Sequence, residues 1–200
     1  MKNGNAGRLF DLGAGACLLI LSSPVLAATS LAILVFDGPP VLFRQGRQGR
    51  HGRLFSLIKF RTLRDGNITR VGTLLRNLGW DELPQLINVL CGEMSLIGPR
   101  PLTPEDAARL LQTHPELERR FAVRPGLTGL VQVLGTRGAA FSVRLENAYA
   151  EQASFALDMQ ILALTVGAAV LGKERLRKAV ACFPTWKSRL LLETPAHDDK

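Results

Sequence analysis

Three cysteines, three histidines, two tryptophans and one tyrosine are spread over 200 residues. The cysteines (Cys17, Cys91 and Cys182) are odd in number, far apart and without a Cys-x-x-Cys pair. Neither a disulfide framework nor a cysteine zinc site is encoded, and a reducing compartment is the simplest reading. His51, His114 and His197 stand singly, without the spacing of metal ligands. Acidic residues are outnumbered, 17 Asp and Glu against 25 Lys and Arg, for a net charge of +8. That balance favours anionic partners (phosphates, nucleic acid or an acidic membrane surface) and says nothing about fold. From Gly38 to Arg64 there is no Asp or Glu at all, but there are seven Arg and Lys.

The chain does have a long uncharged run. From Leu12 to Phe36, 25 residues carry no charge, bracketed by Asp11 and Asp37. As a helix they extend about 37 Å, more than a hydrocarbon core of about 30 Å. A signal peptide is one reading: Lys2 and Arg8 form a basic start, Leu12 to Leu21 an apolar centre and Val25-Leu26-Ala27 a cleavage site. The apolar run continues through Phe36, which opposes it. A spanning helix must accommodate Ser22-Ser23-Pro24, where proline frees a carbonyl that a serine hydroxyl can satisfy. A re-entrant hairpin broken at Ser23-Pro24 keeps both basic flanks on one side of the membrane. The residues alone leave these last two open.

Arg44, Arg47, Arg50 and Arg53 recur every third residue between Gly46, Gly49 and Gly52. Glycine at that density opposes a helix, and the flanking Val41-Leu42-Phe43 and Leu54 to Ile58 predict a β-hairpin with basic prongs. Anionic lipid headgroups suit such a segment beside a membrane run. Nucleic acid is disfavoured, because few aromatics are available to stack on bases. Lys59 and Arg61 end the second strand two residues apart, so on a strand they share a face, as a diphosphate clamp or as plain surface.

Asp81 and Glu82 are adjacent carboxylates. Leu83, Leu86, Ile87 and Leu90 follow the spacing of an amphipathic helix, and Pro84 is tolerated only in a first turn, so the spacing predicts a helix start at Asp81 to Leu83 with Asp81 near the N-cap. An Asp there is commonly structural. Two neighbouring carboxylates nonetheless call for cations or a metal, and Arg76, Arg100, Lys59 and Arg124 are candidates. Gly98-Pro99-Arg100-Pro101 reads as a rigid turn, and Arg124-Pro125-Gly126 as a type II turn. Between them one charged helix is expected from Thr103 to Phe121, and beyond them another from about Phe141 to Leu171. The basic tail from Lys173 to Lys200 is expected either to lie on the membrane or to be loosely ordered.

These residues in this order resemble the bacterial sugar transferases, the monotopic phosphoglycosyl transferases that begin glycan assembly on a polyprenyl phosphate. The resemblance runs from about Arg8 to Thr165. It rests on Arg8-Leu9-Phe10-Asp11, Ser23-Pro24, Lys59-Phe60-Arg61-Thr62, Arg76, Asp81-Glu82-Leu83-Pro84-Gln85-Leu86, Asn88-Val89-Leu90, Gly98-Pro99-Arg100-Pro101, Arg124-Pro125-Gly126, Thr128-Gly129 and Gln132-Val133. It implies a mostly helical α+β fold with three parts: a re-entrant membrane helix over 1–37 broken at Ser23-Pro24, a small cytosolic catalytic domain over 38–172 with a short β-hairpin and amphipathic interfacial helices, and a basic tail over 173–200. It implies transfer of a sugar 1-phosphate from a UDP-sugar to undecaprenyl phosphate, with release of UMP, at the cytoplasmic face of the bacterial inner membrane. Asp81 is then the nucleophile that forms a phospho-sugar intermediate and binds magnesium. Glu82 is its partner. From the residues themselves, Lys59, Arg61, Arg76, Arg100 and Arg124 are the cations expected to meet substrate phosphates. The chain departs from the family in a short segment between Arg61 and Arg70, in Glu93 and Glu146 where aspartate is usual, and in Leu130 for a usual tryptophan. A non-catalytic membrane-surface protein that keeps the fold is the alternative, which an intact Asp81-Glu82 pair disfavours.

Overall fold

In the computed structural model, residues 5–135 and 138–172 are described. The tail expected over 173–200 lies outside them. The described residues are mostly helical, with three two-stranded sheets among them.

The uncharged run forms α1 (Asn5–Ala32), extended by a π-helical turn, Ile33–Asp37. By length and composition this helix is sufficient to cross a membrane. It stays helical through Pro24 instead of breaking there. The reason is local. Pro24 has no amide to give the Ile20 carbonyl four residues back, and the Ser23 hydroxyl donates to that carbonyl at 2.7 Å.

Both ends of α1 are fastened to the rest of the chain. Near its start, Arg8 donates to the carbonyls of Val89 and Leu90 at 2.7 and 2.8 Å. Buried Asp11 accepts from the Ser95 hydroxyl and the Leu96 amide, both at 3.0 Å. At its far end, Arg61 donates to the carbonyls of Asp37 and Gly38, and Arg64 to that of Asp37 at 2.7 Å.

The predicted hairpin is present. β1 (Leu42–Gln48) pairs antiparallel with β2 (Leu54–Phe60), with Phe43 opposite Lys59. A small hairpin follows, β3 (Leu63–Arg64) and β4 (Asn67–Ile68), then α2 (Arg70–Leu78) with Thr69 as its cap. A 3₁₀ turn over Trp80–Glu82 leads to α3 (Gln85–Cys91). The helix therefore begins later than its spacing predicts. Pro84 occupies the N-cap position, and Asp81 stands in the separate turn before it.

Two parallel strands, β5 (Ser95–Ile97) and β6 (Gly126–Thr128), were not anticipated from the sequence. They are too short for a period-2 pattern to register. Gly126 opens β6 and lacks the positive φ that a type II turn requires. It lies so close to the Gly98 backbone that no side chain fits between them.

The single helix expected from Thr103 to Phe121 is divided into α4 (Pro104–Thr113) and a 3₁₀ stretch, Pro115–Ala122. Pro115 supplies no amide to continue the first. After α5 (Leu130–Leu134), the second expected helix is also two: α6 (Ala139–Gln152) and α7 (Phe155–Leu171). Ala153 and Ser154 leave the helical conformation, and the Ser154 side chain caps α7 by accepting from the Leu157 amide.

The main core joins Leu86 and Val89 of α3, Leu96 and Ile97 of β5, Val131 and Val133 of α5 and Tyr149 of α6. Phe10, Ala14 and Leu19 of α1 pack on this core, whereas Leu26 packs on a smaller cluster of Ile33, Phe60 and Leu75.

Candidate active site

Asn88 sets the geometry of the site. Almost wholly buried, it accepts from the Ile58 amide at 3.0 Å and donates to the Ser56 carbonyl at 2.8 Å and to Glu93 at 2.6 Å. A side chain thus acts as a third strand, fixing α3 to the free edge of β2. With that edge fixed, Lys59 on β2 faces the turn that carries Asp81 and Glu82.

Glu82 receives Arg100 at 3.2 Å, with the two side chains 32% and 58% exposed. Lys59, Arg47, Gln85 and Gln132 complete a small polar hollow around this pair. Burial lowers the Lys59 ammonium below the ordinary lysine value, as do the neighbouring Arg47 and Arg76, while Asp81 and Glu82 oppose the shift. Asp81 is the stronger of the two opposing influences, which places it within electrostatic reach of Lys59. The Arg47 guanidinium is also held low, first by burial and then by Arg100. Its Nη1 donates to the Pro101 carbonyl at 3.1 Å, and its Nε is buried without a hydrogen-bond partner among the described residues. The hollow therefore concentrates three cations, Arg47, Lys59 and Arg100, around Glu82, with Asp81 adjacent in sequence and within electrostatic reach of Lys59.

The enclosed part of the hollow amounts to about 30 Å³, the room of roughly one water. That room is too small to enclose a diphosphate. Next to it opens an apolar cleft of about 540 Å³, between α1 (Phe10, Ala14, Leu18) and α7 (Leu162, Ala168). Glu82 and Gln132 line both spaces. Gln132 Oε1 is buried and has no hydrogen-bond partner among the described residues.

The residues expected at the site divide. Asp81, Glu82, Lys59 and Arg100 are brought together. Arg76, at the end of α2, donates to the Thr62 hydroxyl at 2.9 Å and stands near enough to act on Lys59. Arg61 is elsewhere: beyond the end of β2 it no longer shares the face of Lys59, and it holds the end of α1. Arg124 lines a different hollow and donates to the Gly92 carbonyl at 2.9 Å. Arg47 and Gln132 join the site without having been expected there. Arg47 was legible only as one prong of a basic hairpin, and its strand position, facing Lys59 and Arg100, is a tertiary fact.

No cluster of three or more His, Cys, Asp or Glu side chains is present among the described residues. Magnesium does not need one, since it keeps several waters and is held through one or two carboxylates plus substrate phosphates. Asp81 and Glu82 fit that requirement.

A carboxylate pair beside clustered cations, on a small α+β domain with an N-terminal helix long and apolar enough to cross a membrane, suits a protein that handles phosphate. The model of the bacterial sugar transferase family matches residues 3–172, and the chain belongs to that family. It is 41% identical over 174 residues to the uncharacterized sugar transferase EpsL of Bacillus subtilis, covering 80% of this chain and 84% of that one. It is 44% identical over 156 residues to a UDP-glucose:undecaprenyl-phosphate glucose-1-phosphate transferase of Caulobacter vibrioides, covering 69% and 57%. It is 39% identical over 184 residues to an undecaprenyl-phosphate glucose phosphotransferase of Komagataeibacter xylinus, covering 80% of this chain but 35% of that longer protein.

Proposed function

We propose that this protein moves a sugar 1-phosphate from a UDP-sugar to undecaprenyl phosphate, releasing UMP, as the first step in assembling a bacterial glycan. One observation carries the reading: Glu82, beside Asp81, lies where a cation-rich hollow meets an apolar cleft formed partly by the membrane helix. A water-soluble diphosphate and a greasy acceptor require two such spaces with one reacting centre between them. The names of the relatives from Caulobacter vibrioides and Komagataeibacter xylinus support the same reaction class.

In this mechanism an Asp81 carboxylate oxygen attacks the β-phosphorus of the donor. The bond from that phosphorus to the bridging oxygen breaks, and UMP departs with the bond's electron pair. The sugar phosphate is left on Asp81 as an acyl phosphate. A phosphate oxygen of the acceptor then attacks the same phosphorus and frees the Asp81 carboxylate, giving a diphosphate-linked sugar. Dividing one displacement into two is the benefit of a carboxylate nucleophile. Arg47, Lys59 and Arg100 offset charge on the diphosphate. Glu82 fixes Arg100 and, with Asp81, would hold magnesium, which supplies further charge neutralisation at the phosphates.

The fastening of α1 supports a re-entrant, monotopic arrangement. The helix covers roughly 50 Å if straight, yet Arg8 and Asp11 tie one end, and Arg61 and Arg64 the other, to a single domain. A bilayer passing between two ends held by one domain would have to divide that domain, which favours both ends on one face although the helix is unbroken at Pro24. That face is cytoplasmic, where the basic flank belongs.

The direct test is Asp81→Asn. The variant is expected to fractionate with membranes but to release no UMP from a UDP-sugar plus undecaprenyl phosphate. Wild-type UMP release by this variant would rule out the covalent route.

A further inference from the structure

A second hollow, of about 480 Å³, lies under the tip of the β1–β2 hairpin and shares no residue with the one at Glu82. Arg50, Arg53 and Arg124 line it. Arg8 stands at its edge, its guanidinium within 3.2 Å of where a side chain on Gly92 would begin. Four cations thus face one lining carboxylate, Glu93, whose Oε2 is already taken by Asn88 at 2.6 Å. None of the four forms an ion pair among the described residues. Asp11 reaches Arg124 electrostatically, but its Oδ1 is engaged by Ser95 and Leu96.

Main-chain carbonyls hold these arginines in place. Arg8 donates to Val89 and Leu90, Arg124 Nε to Gly92, and Arg50 Nε to Ala122 at 3.1 Å. Carbonyls orient a guanidinium without cancelling its charge. Burial, then Arg8 and Arg50, push the Arg124 guanidinium below its ordinary value, so the arrangement is self-repelling. A pre-set group of like charges is relieved by an anion, and guanidinium forks match phosphate oxygens.

The surroundings identify the carrier of that phosphate. Arg8 is in the first turns of α1, next to Leu9, which is 67% exposed, and Leu12. Leu54, at the rim of the hollow, is also 67% exposed. A cationic floor with an apolar rim beside a membrane helix fits a headgroup with its chains alongside. We propose that this hollow binds the phosphate of an anionic membrane lipid, at a place separate from the transfer site. The proposal rests on α1 being embedded in the membrane.

Native mass spectrometry of the full chain in neutral detergent, with phosphatidylglycerol added, tests it. One phosphatidylglycerol is expected to stay bound, and phosphatidylcholine is not. Arg50→Ala/Arg53→Ala is expected to weaken retention about 30-fold, two cations' worth at a membrane surface. Arg53→Glu, at an exposed side chain that makes no hydrogen bond among the described residues, is expected to act in the same direction if the double variant misfolds. Undiminished retention by a folded variant overturns the proposal. Release of the lipid by millimolar inorganic phosphate overturns it in favour of a free anion, and release by UMP makes the hollow part of the donor site. UMP release, measured in parallel, tests the transferase reading separately: a wild-type protein that binds the lipid but does not turn over leaves this site standing and that reading refuted.

Discussion

Arg120 and Glu146 meet at 2.8 Å with only 4% and 7% of their side chains exposed. Together they hold the peptide of Arg100, whose amide donates to Glu146 Oε1 at 3.2 Å and whose carbonyl accepts from Arg120 Nη2. Burial raises the Glu146 carboxyl and lowers the Arg120 guanidinium, so desolvation opposes charge on both partners. A pair held against that opposition positions the loop that carries the cation opposite Glu82. Removing one partner is expected to cost about 3–5 kcal/mol, so Arg120→Met should melt far below wild type in detergent. Arg120→Met/Glu146→Leu should regain most of that stability while raising the donor KM through a loosened Arg100. Wild-type KM in a stable double variant would make the pair a packing feature alone.

The lowered Lys59 gives the reaction an alkaline limit. Its ammonium loses its proton below the ordinary lysine value of 10.5, and with it the attraction for the donor's diphosphate. The donor KM is therefore expected to rise with pH before kcat changes, and Lys59→Arg should move that limb beyond the measurable range. The sign for stability is opposite. Folding lowers this pKa, so the charged form is penalised below the folded value, and the penalty disappears above the unfolded one. A KM profile flat to alkaline pH in the wild type would show that Lys59 does not contact the donor.

Asn88→Ala removes the fixing of α3 to β2. It strands the Ile58 amide and frees the Ser56 carbonyl, for an expected loss of roughly 2–4 kcal/mol. Because Lys59 lies one residue past Ile58, the donor KM should increase more than kcat falls. Thermal unfolding and steady-state kinetics on the same preparation separate the two effects.

The fastening of both ends of α1 makes a topological prediction. In a background lacking Cys17, Cys91 and Cys182, Ala6→Cys and Arg44→Cys should both label from the cytoplasmic side of sealed vesicles. Labelling of Ala6→Cys from the opposite side alone would restore a spanning helix.

The sequence showed the hairpin because short apolar runs flank a stretch whose glycines oppose a helix, and it showed the carboxylate pair because Asp81-Glu82 is followed by a clear 3.6-residue period. It did not show how α3 begins, since Pro84 serves equally at a first turn or just before one. Arg61 and Arg124 were indistinguishable from Lys59 and Arg100 as isolated cations beside turns. What separates them is whether a carbonyl or a carboxylate lies opposite, and that depends on residues far along the chain: Gly92 for Arg124, Glu82 for Arg100. Gln132 was legible only as part of the Gln132-Val133 mark of the resemblance, because its position between two cavities is a tertiary fact.

The grip of Arg8 on Val89 and Leu90 also has a temporal side. Its partners emerge from the ribosome 81 and 82 residues later, roughly 4–16 s at about 5–20 residues per second. For that interval the greasy N-terminal segment is a tenant without a landlord, its first turns having nothing to grasp. Whatever shelters it until α3 is made, bilayer or chaperone, determines whether a nascent chain becomes an enzyme or an aggregate.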